Sequence, residues 1–120
     1  MLSHDHYDHC DLPTLRQLAA GGVPRVITPL ANGDLLRDAG FARDAITELD
    51  WWQETSLPGG VSVTLTPAQH WSNRASGRRN GRLWGGFFAR SAERSFFFAG
   101  DTATNDDLFL SIHRRLGAAD

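Results

Sequence analysis

The order of apolar and polar positions along the chain alternates between short helical stripes and strand-like runs. Leu12, Leu15, Leu18 and Ala19 fall at helical spacing and form a stripe over Leu12–Ala20, with Asp11 as N-cap, Pro13 tolerated in the first turn and Gly21 as stop. Val23–Thr28 has the composition of a short buried strand ended by Pro29. A second helix is predicted over Asp34–Ala39, with Leu35 and Leu36 inward and Gly40 ending it. Ala45–Leu49 reads as a strand, followed by the pair Trp51-Trp52.

The second half of the chain is richer in strand pattern. Pro58-Gly59-Gly60 is a turn that launches Val61–Leu65, whose strict alternation predicts a half-buried strand. A polar loop rich in arginine and glycine covers 73–82. Leu83–Ala89 and Ser95–Ala99 are two further strands, and Phe96-Phe97-Phe98 is apolar enough to predict burial on both faces. A last helix over Asn105–Leu116 places Leu108, Ile112 and Leu116 on one side and ends at Gly117.

Composition narrows the class. A chain of 120 residues makes one domain at most, and its 41% hydrophobic and 22% charged residues are ordinary for a globular protein. The net charge of −2 gives no footprint for nucleic acid. Charge is uneven all the same: Arg74, Arg78, Arg79 and Arg82 cluster, and a solvated loop is the ordinary reading of them, with phosphate reception as the functional one. The single Cys10 excludes an internal disulfide and reads as a small buried hydrophobe rather than a ligand. No apolar run reaches the length of a membrane span and no signal peptide precedes the first motif, so the expected location is cytoplasmic.

The chemistry concentrates in Ser3-His4-Asp5-His6-Tyr7-Asp8-His9, where three histidines and two aspartates fall within six residues. Imidazole and carboxylate are the donors that borderline divalent cations such as Zn²⁺ prefer. In an extended or tightly turned segment His4 and His6 point the same way, while Asp8 and His9 lie past a bend and can face a second position. A polar surface loop, or a purification tag, is the plain alternative, but tags are runs of histidine without ordered aspartates. Two later strands also end in a potential ligand, His70 after one and Asp101 after the other. Alone, the first would be an ordinary histidine and the second a turn or helix cap.

Ser3–His9, an isolated histidine at a strand end and Ala99-Gly100-Asp101-Thr102 resemble, in that order and spacing, the metallo-β-lactamase superfamily. Leu49-Asp50-Trp51-Trp52, Thr66-Pro67-Ala68-Gln69-His70-Trp71-Ser72, Leu83-Trp84-Gly85-Gly86 and Phe97–Thr102 are similar to the branch of the N-acylphosphatidylethanolamine-hydrolysing phospholipase D and its bacterial relatives. The resemblance implies an α/β fold, an αββα sandwich with a two-zinc site at one edge, formed by a single domain over 1–120. It implies that His4, His6 and His70 ligate the first metal, Asp8 and His9 the second, and that Asp101 bridges both. Asp8 and Asp101 are then the catalytic carboxylates, and Asp5 is left to orient a histidine. The activity implied is a hydrolase whose nucleophile is a metal-bound hydroxide, acting on a small-molecule phosphodiester or a phospholipid. The alternative is a non-catalytic metal-binding fragment. At least two of Trp51, Trp52, Trp71 and Trp84 are expected in the core, the others lining an acyl channel.

Two departures from the family pattern stand out. The pattern has strands before the first motif, whereas Met1-Leu2 leads straight into it here, and it has one more histidine ligand further on. The remaining His113 falls mid-helix, does not match that position and is expected in solvent. The chain therefore reads as the middle of a longer enzyme, a partial sandwich lacking N-terminal strands and a C-terminal part. Unpaired edges predict poor solubility or homo-oligomer formation if it is made alone.

Overall fold

The computed structural model describes residues 1–74 and 77–120. Residues 75 and 76 of the arginine-rich loop lie outside them. The chain divides into two compact units, one of residues 1–49 and 71–84, the other of residues 50–70 and 85–120.

The first unit is built on a parallel strand pair. α1 spans Leu12–Ala20, β1 Val26–Pro29, α2 Gly33–Asp38 and β2 Ile46–Leu49, with a single 3₁₀ turn over Arg43–Ala45 before β2. β1 and β2 pair in parallel from Val26↔Ile46 to Pro29↔Leu49. Parallel strands need a crossover, and α2 supplies it. Asp11 caps α1 through its Oδ2, which accepts from the Thr14 amide at 2.9 Å and the Thr14 hydroxyl at 2.5 Å. Those bonds, the hydroxyl's first, hold the Asp11 carboxyl below the usual carboxylate range.

Leu2, Cys10, Val26, Leu35, Leu36, Ala39 and Phe41 form the core, with Leu12, Leu15, Ala19 and Ile46 packed at its margin. Fully burying the leucine, valine and phenylalanine side chains among them contributes roughly 1.5–3 kcal/mol each. Cys10 is buried and unpaired, as expected, and burial pushes its thiol up. The stripe expected on α1 is narrower than the spacing suggests: Leu18 is exposed, because the helix touches the core only along Leu12, Leu15 and Ala19. The predicted strand from Val23 forms only from Val26, since Gly21 and Gly22 are still closing the helix end.

The second unit is an antiparallel sheet of order β3-β4-β5-β6, with β3 Glu54–Leu57, β4 Val61–Thr66, β5 Gly86–Arg90 and β6 Ser95–Phe98, followed by α3 Asp106–Leu116. The Gly59 and Gly60 turn has φ of 83° and 75°, the left-handed conformation that glycine adopts freely. β3 is an edge strand that the sequence pattern did not announce; its Glu54-Thr55-Ser56-Leu57 carries no apolar alternation. β4 is buried along both faces from Val63 to Thr66, not on one.

The phenylalanine run also departs from expectation. β6 is an edge strand, with Phe96 56% and Phe98 43% exposed, so it is covered on one face only. On the covered face Phe88, Phe97, Phe109 and Ile112 line an apolar cleft of about 180 Å³ beneath α3. The stripe on α3 is as predicted, with Ile112 buried, Leu108 and Leu116 half-buried and His113 in solvent. None of the four tryptophans is buried, contrary to the expectation of two in the core. Trp52, at φ 70°, lies under the Arg115 guanidinium 4.2 Å from its ring centroid. No helix among the described residues is long and apolar enough to cross a membrane.

Candidate metal-binding site

In the first unit the Leu2 amide donates to the Ile27 carbonyl at 3.0 Å, tying the start of the chain to β1 just before Ser3–His9. The chain then turns sharply: the amides of His9 and Cys10 both donate to the His6 carbonyl, at 3.0 and 2.7 Å. That turn folds His9 back over His4, with ring centroids 4.4 Å apart. His4 and His6 meet edge to face at 4.7 Å, and His4 Nε2 lies 3.1 Å from His6 Nδ1. Three imidazoles thus share one small volume.

The sequence reading that His4 and His6 point the same way holds. Ser3 Oγ is 3.0 Å from His4 Nδ1; with Nδ1–H donating to that oxygen, Nε2 turns its lone pair toward His6. Two nitrogens bound to one tetrahedral zinc at 2.0–2.1 Å stand about 3.3–3.4 Å apart. The 3.1 Å pair is close to that spacing, and the donor set is of the type such an ion prefers. Asp8 is exposed, with Oδ2 3.6 Å from His9 Nε2.

Asp5 is buried and does not orient a ring: its Oδ1 accepts from the Asn73 amide at 3.0 Å, and its Oδ2 lies 3.9 Å from Arg82 Nη1. The arginine cluster is likewise not uniformly solvated. Arg74 is buried, Arg82 is ion-paired with Asp34 at 2.6 Å, and only Arg78 and Arg79 are exposed. Trp71 stands edge-on to the His6 ring, 4.4 Å between centroids, with Arg79 5.0 Å from its own.

In the second unit β4 and β6 both run antiparallel to β5 and therefore end on the same side. His70 follows β4, and Asp101 follows β6 after Gly100 turns the chain at φ 63°. The two following loops are laced together. Thr102 Oγ1 accepts from the Gln69 amide at 2.9 Å, the Ala103 amide donates to Gln69 O at 2.9 Å, and Asn105 Nδ2 donates to Gln69 Oε1 at 2.8 Å. His70 Nε2 is held 3.7 Å from Asp101 Oδ2, beyond direct hydrogen-bond length. Gln69, next to His70 in the Thr66–Ser72 motif, is the residue that makes this lacing. Gly86 has one as well, since a Cβ there would lie 2.7 Å from Phe98 O and 2.9 Å from Ala99 O. Only glycine lets β4 and β6 close on β5 at the end from which His70 and Asp101 emerge.

The whole chain, residues 1–120, matches the beta-lactamase superfamily domain. It belongs to that family. Among curated relatives it is 32% identical to N-acyl-phosphatidylethanolamine-hydrolyzing phospholipase D 1 of Caenorhabditis elegans, over 100% of this chain and 36% of that protein. It is 32% identical to the mitochondrial N-acyl-phosphatidylethanolamine-hydrolyzing phospholipase D of Saccharomyces cerevisiae, over 98% of this chain and 25% of that protein. The chain thus spans about a quarter to a third of these relatives' lengths.

Among solved structures of this fold, a metallo hydrolase from the hyperthermophilic archaeon Ignicoccus hospitalis matches 88% of this chain and 42% of its own, with a TM-score of 0.66 at 21% identity. An isothiocyanate hydrolase from Delia radicum gut bacteria matches 93% of this chain and 42% of its own, with a TM-score of 0.59 at 21% identity. The fold expected from the sequence, mixed α/β of the metallo-β-lactamase type, is the one observed.

Proposed function

We propose that this beta-lactamase superfamily chain carries the ligand set of a metal-dependent hydrolase acting on a phosphodiester, phospholipase D-like in chemistry. The observation that supports the reading most is the gathering of His4, His6 and His9 into one cluster with a lone-pair spacing suited to a divalent cation. In this reading both units belong to one domain. His4, His6 and His70 would hold one ion, Asp8 and His9 would contribute to a second, and Asp101 would serve both. Zinc is the ion the histidine-rich donor set favours. Divalent ions bound there would supply Lewis-acid chemistry for hydrolysis near neutral pH.

The protein's own groups orient and exchange protons. Ser3 Oγ, accepting from His4 Nδ1–H, would leave Nε2 free to donate its electron pair to an ion. The lacing of Gln69 to Thr102 and Asn105 holds His70 and Asp101 in place without metal, which lowers the ordering cost of binding. Asp8, exposed beside His9, is placed to pass a proton from the site to solvent through Oδ2. A phospholipid substrate is suggested by the names of the worm and yeast relatives, and the net charge of −2 gives no support to nucleic acid. A reducing compartment such as the cytoplasm suits a buried free thiol.

The test is turnover of a generic phosphodiester by the zinc-loaded chain. His70→Ala and Asp101→Asn are expected to lose at least about 100-fold in kcat/KM, within the range for losing a group that holds the catalytic ion. Wild-type turnover in both variants overturns the site assignment. A fully loaded chain that turns over no phosphodiester leaves a metal-binding fragment.

A further inference from the structure

We propose that Arg74 is a positioning residue that holds the histidine loop in its ligating shape. The inference rests on the metal reading above for its purpose, though not for its geometry. The Arg74 side chain is buried at 8% exposure, an unusual place for a guanidinium, and its Nη1 donates to two main-chain carbonyls. One is Asp5 O at 2.8 Å and the other Cys10 O at 3.0 Å. These carbonyls bracket the turn that carries His6, Tyr7, Asp8 and His9. The exposed Tyr7 ring covers the guanidinium, 4.1 Å from its centroid to the arginine carbon.

The contact is returned from the other side. Asp5 Oδ1 accepts from the Asn73 amide, next to Arg74, so the 73–74 segment and the histidine loop bind each other through both main chain and side chain. The two carbonyls need donors, because buried polar groups left unpaired are costly. One nitrogen with two hydrogens, set in a rigid plane, fixes the distance between them; a lysine ammonium is a freely rotating point donor and does so less well. The width of the turn, and with it the approach of His9 to His4, is therefore set by Arg74.

The experiment uses the full 120-residue chain and cobalt as a spectroscopic stand-in for zinc. Arg74→Met is expected to weaken cobalt and zinc binding about 10- to 100-fold, the usual effect of removing a group that supports metal ligands, and to alter the cobalt visible spectrum. Arg74→Lys is expected to fall between Met and wild type. Glu48→Ala, which removes the acceptor of the Gly33 amide at the start of α2 and touches none of Asp5, Arg74 and Arg82, is the control: it lowers thermal stability and leaves cobalt affinity unchanged.

Amide hydrogen exchange without metal separates the two levels of inference. The His9 and Cys10 amides are expected to lose protection in Arg74→Met while the β1 amides keep theirs. A folded Arg74→Met with wild-type affinity, spectrum and exchange overturns the proposal. If Arg74→Met does not fold, wild-type values in Arg74→Lys overturn it instead. Loss of His9 and Cys10 protection in a chain that binds no cobalt even as wild type sinks the metal reading and leaves the clamp standing.

Discussion

His4 Nε2 and His6 Nδ1 face each other at 3.1 Å across a single intervening residue. Extended backbone would bring alternate side chains to one face, and the Leu2 bond to Ile27 anchors the chain two residues before His4. The turn closed on the His6 carbonyl then adds His9 to the pair. Seven residues of sequence and one turn are enough to assemble three imidazoles.

Ser3 touches that cluster through its hydroxyl, which lies against the His4 ring. Ser3→Ala removes the oxygen 3.0 Å from His4 Nδ1 and with it the hydrogen-bond partner that orients this ring. Zinc affinity, measured by competition with a chromogenic chelator, is expected to fall about 10-fold, with thermal stability of the metal-free chain changed by less than about 1 kcal/mol. Equal affinity in Ser3→Ala and wild type removes Ser3 from the site.

Gly86 is expected to tolerate nothing larger. A methyl group there meets two main-chain oxygens, of Phe98 and Ala99, which have no side-chain freedom to move aside. Gly86→Ala is predicted to destabilise the chain by about 2–3 kcal/mol in urea unfolding, as overpacking does. A change under about 0.5 kcal/mol contradicts the packing described.

The Asp34–Arg82 pair gives a signed dependence on pH. Burial alone raises the Asp34 carboxyl, but its bond to Arg82, the Leu35 amide and the nearby arginine charges outweigh burial and bring it below the usual range. A depressed folded value stabilises above the unfolded one, near 3.9, and the stabilisation disappears as pH falls through the folded value. Asp34→Asn should thus melt a few degrees below wild type at pH 7, the difference closing below about pH 4. The half-exposed carboxylate limits the effect to roughly 1 kcal/mol or less. A gap that widens toward acid contradicts the assignment.

Edge strand β6 presents Phe96 and Phe98 to solvent on one face. A strand edge beside exposed aromatics favours association. The double variant Phe96→Ser, Phe98→Ser is expected to shift sedimentation toward monomer, with a stability cost well below the 3–5 kcal/mol of emptying a buried phenylalanine site. Unchanged association points to a different contact.

Local chemistry made much of this legible. Asp11 and Gly21 bounded α1 at the observed residues, and Pro58-Gly59-Gly60 placed the β3–β4 turn, because caps and turns depend on the residues they contain. The histidine cluster was legible for the same reason: its members are near neighbours. Burial was not, because it depends on what lies opposite. Leu18 at the right spacing faces water, Phe96 and Phe98 sit on an edge, and Arg74 in a polar loop is buried. Nothing in Asn73-Arg74 distinguishes a clamp from a solvated arginine until the carbonyls of Asp5 and Cys10 are seen beside it.

Zinc content after equilibrium dialysis, compared across wild type, His6→Ala, His70→Ala and the double variant, tests the proposed metal centre most directly. Near two zinc ions per wild-type chain are predicted, with each single variant losing the same ion and the double variant losing no more than either. Wild-type zinc content in His70→Ala, or losses that add in the double variant, would show that the histidine loop and His70 do not serve one centre.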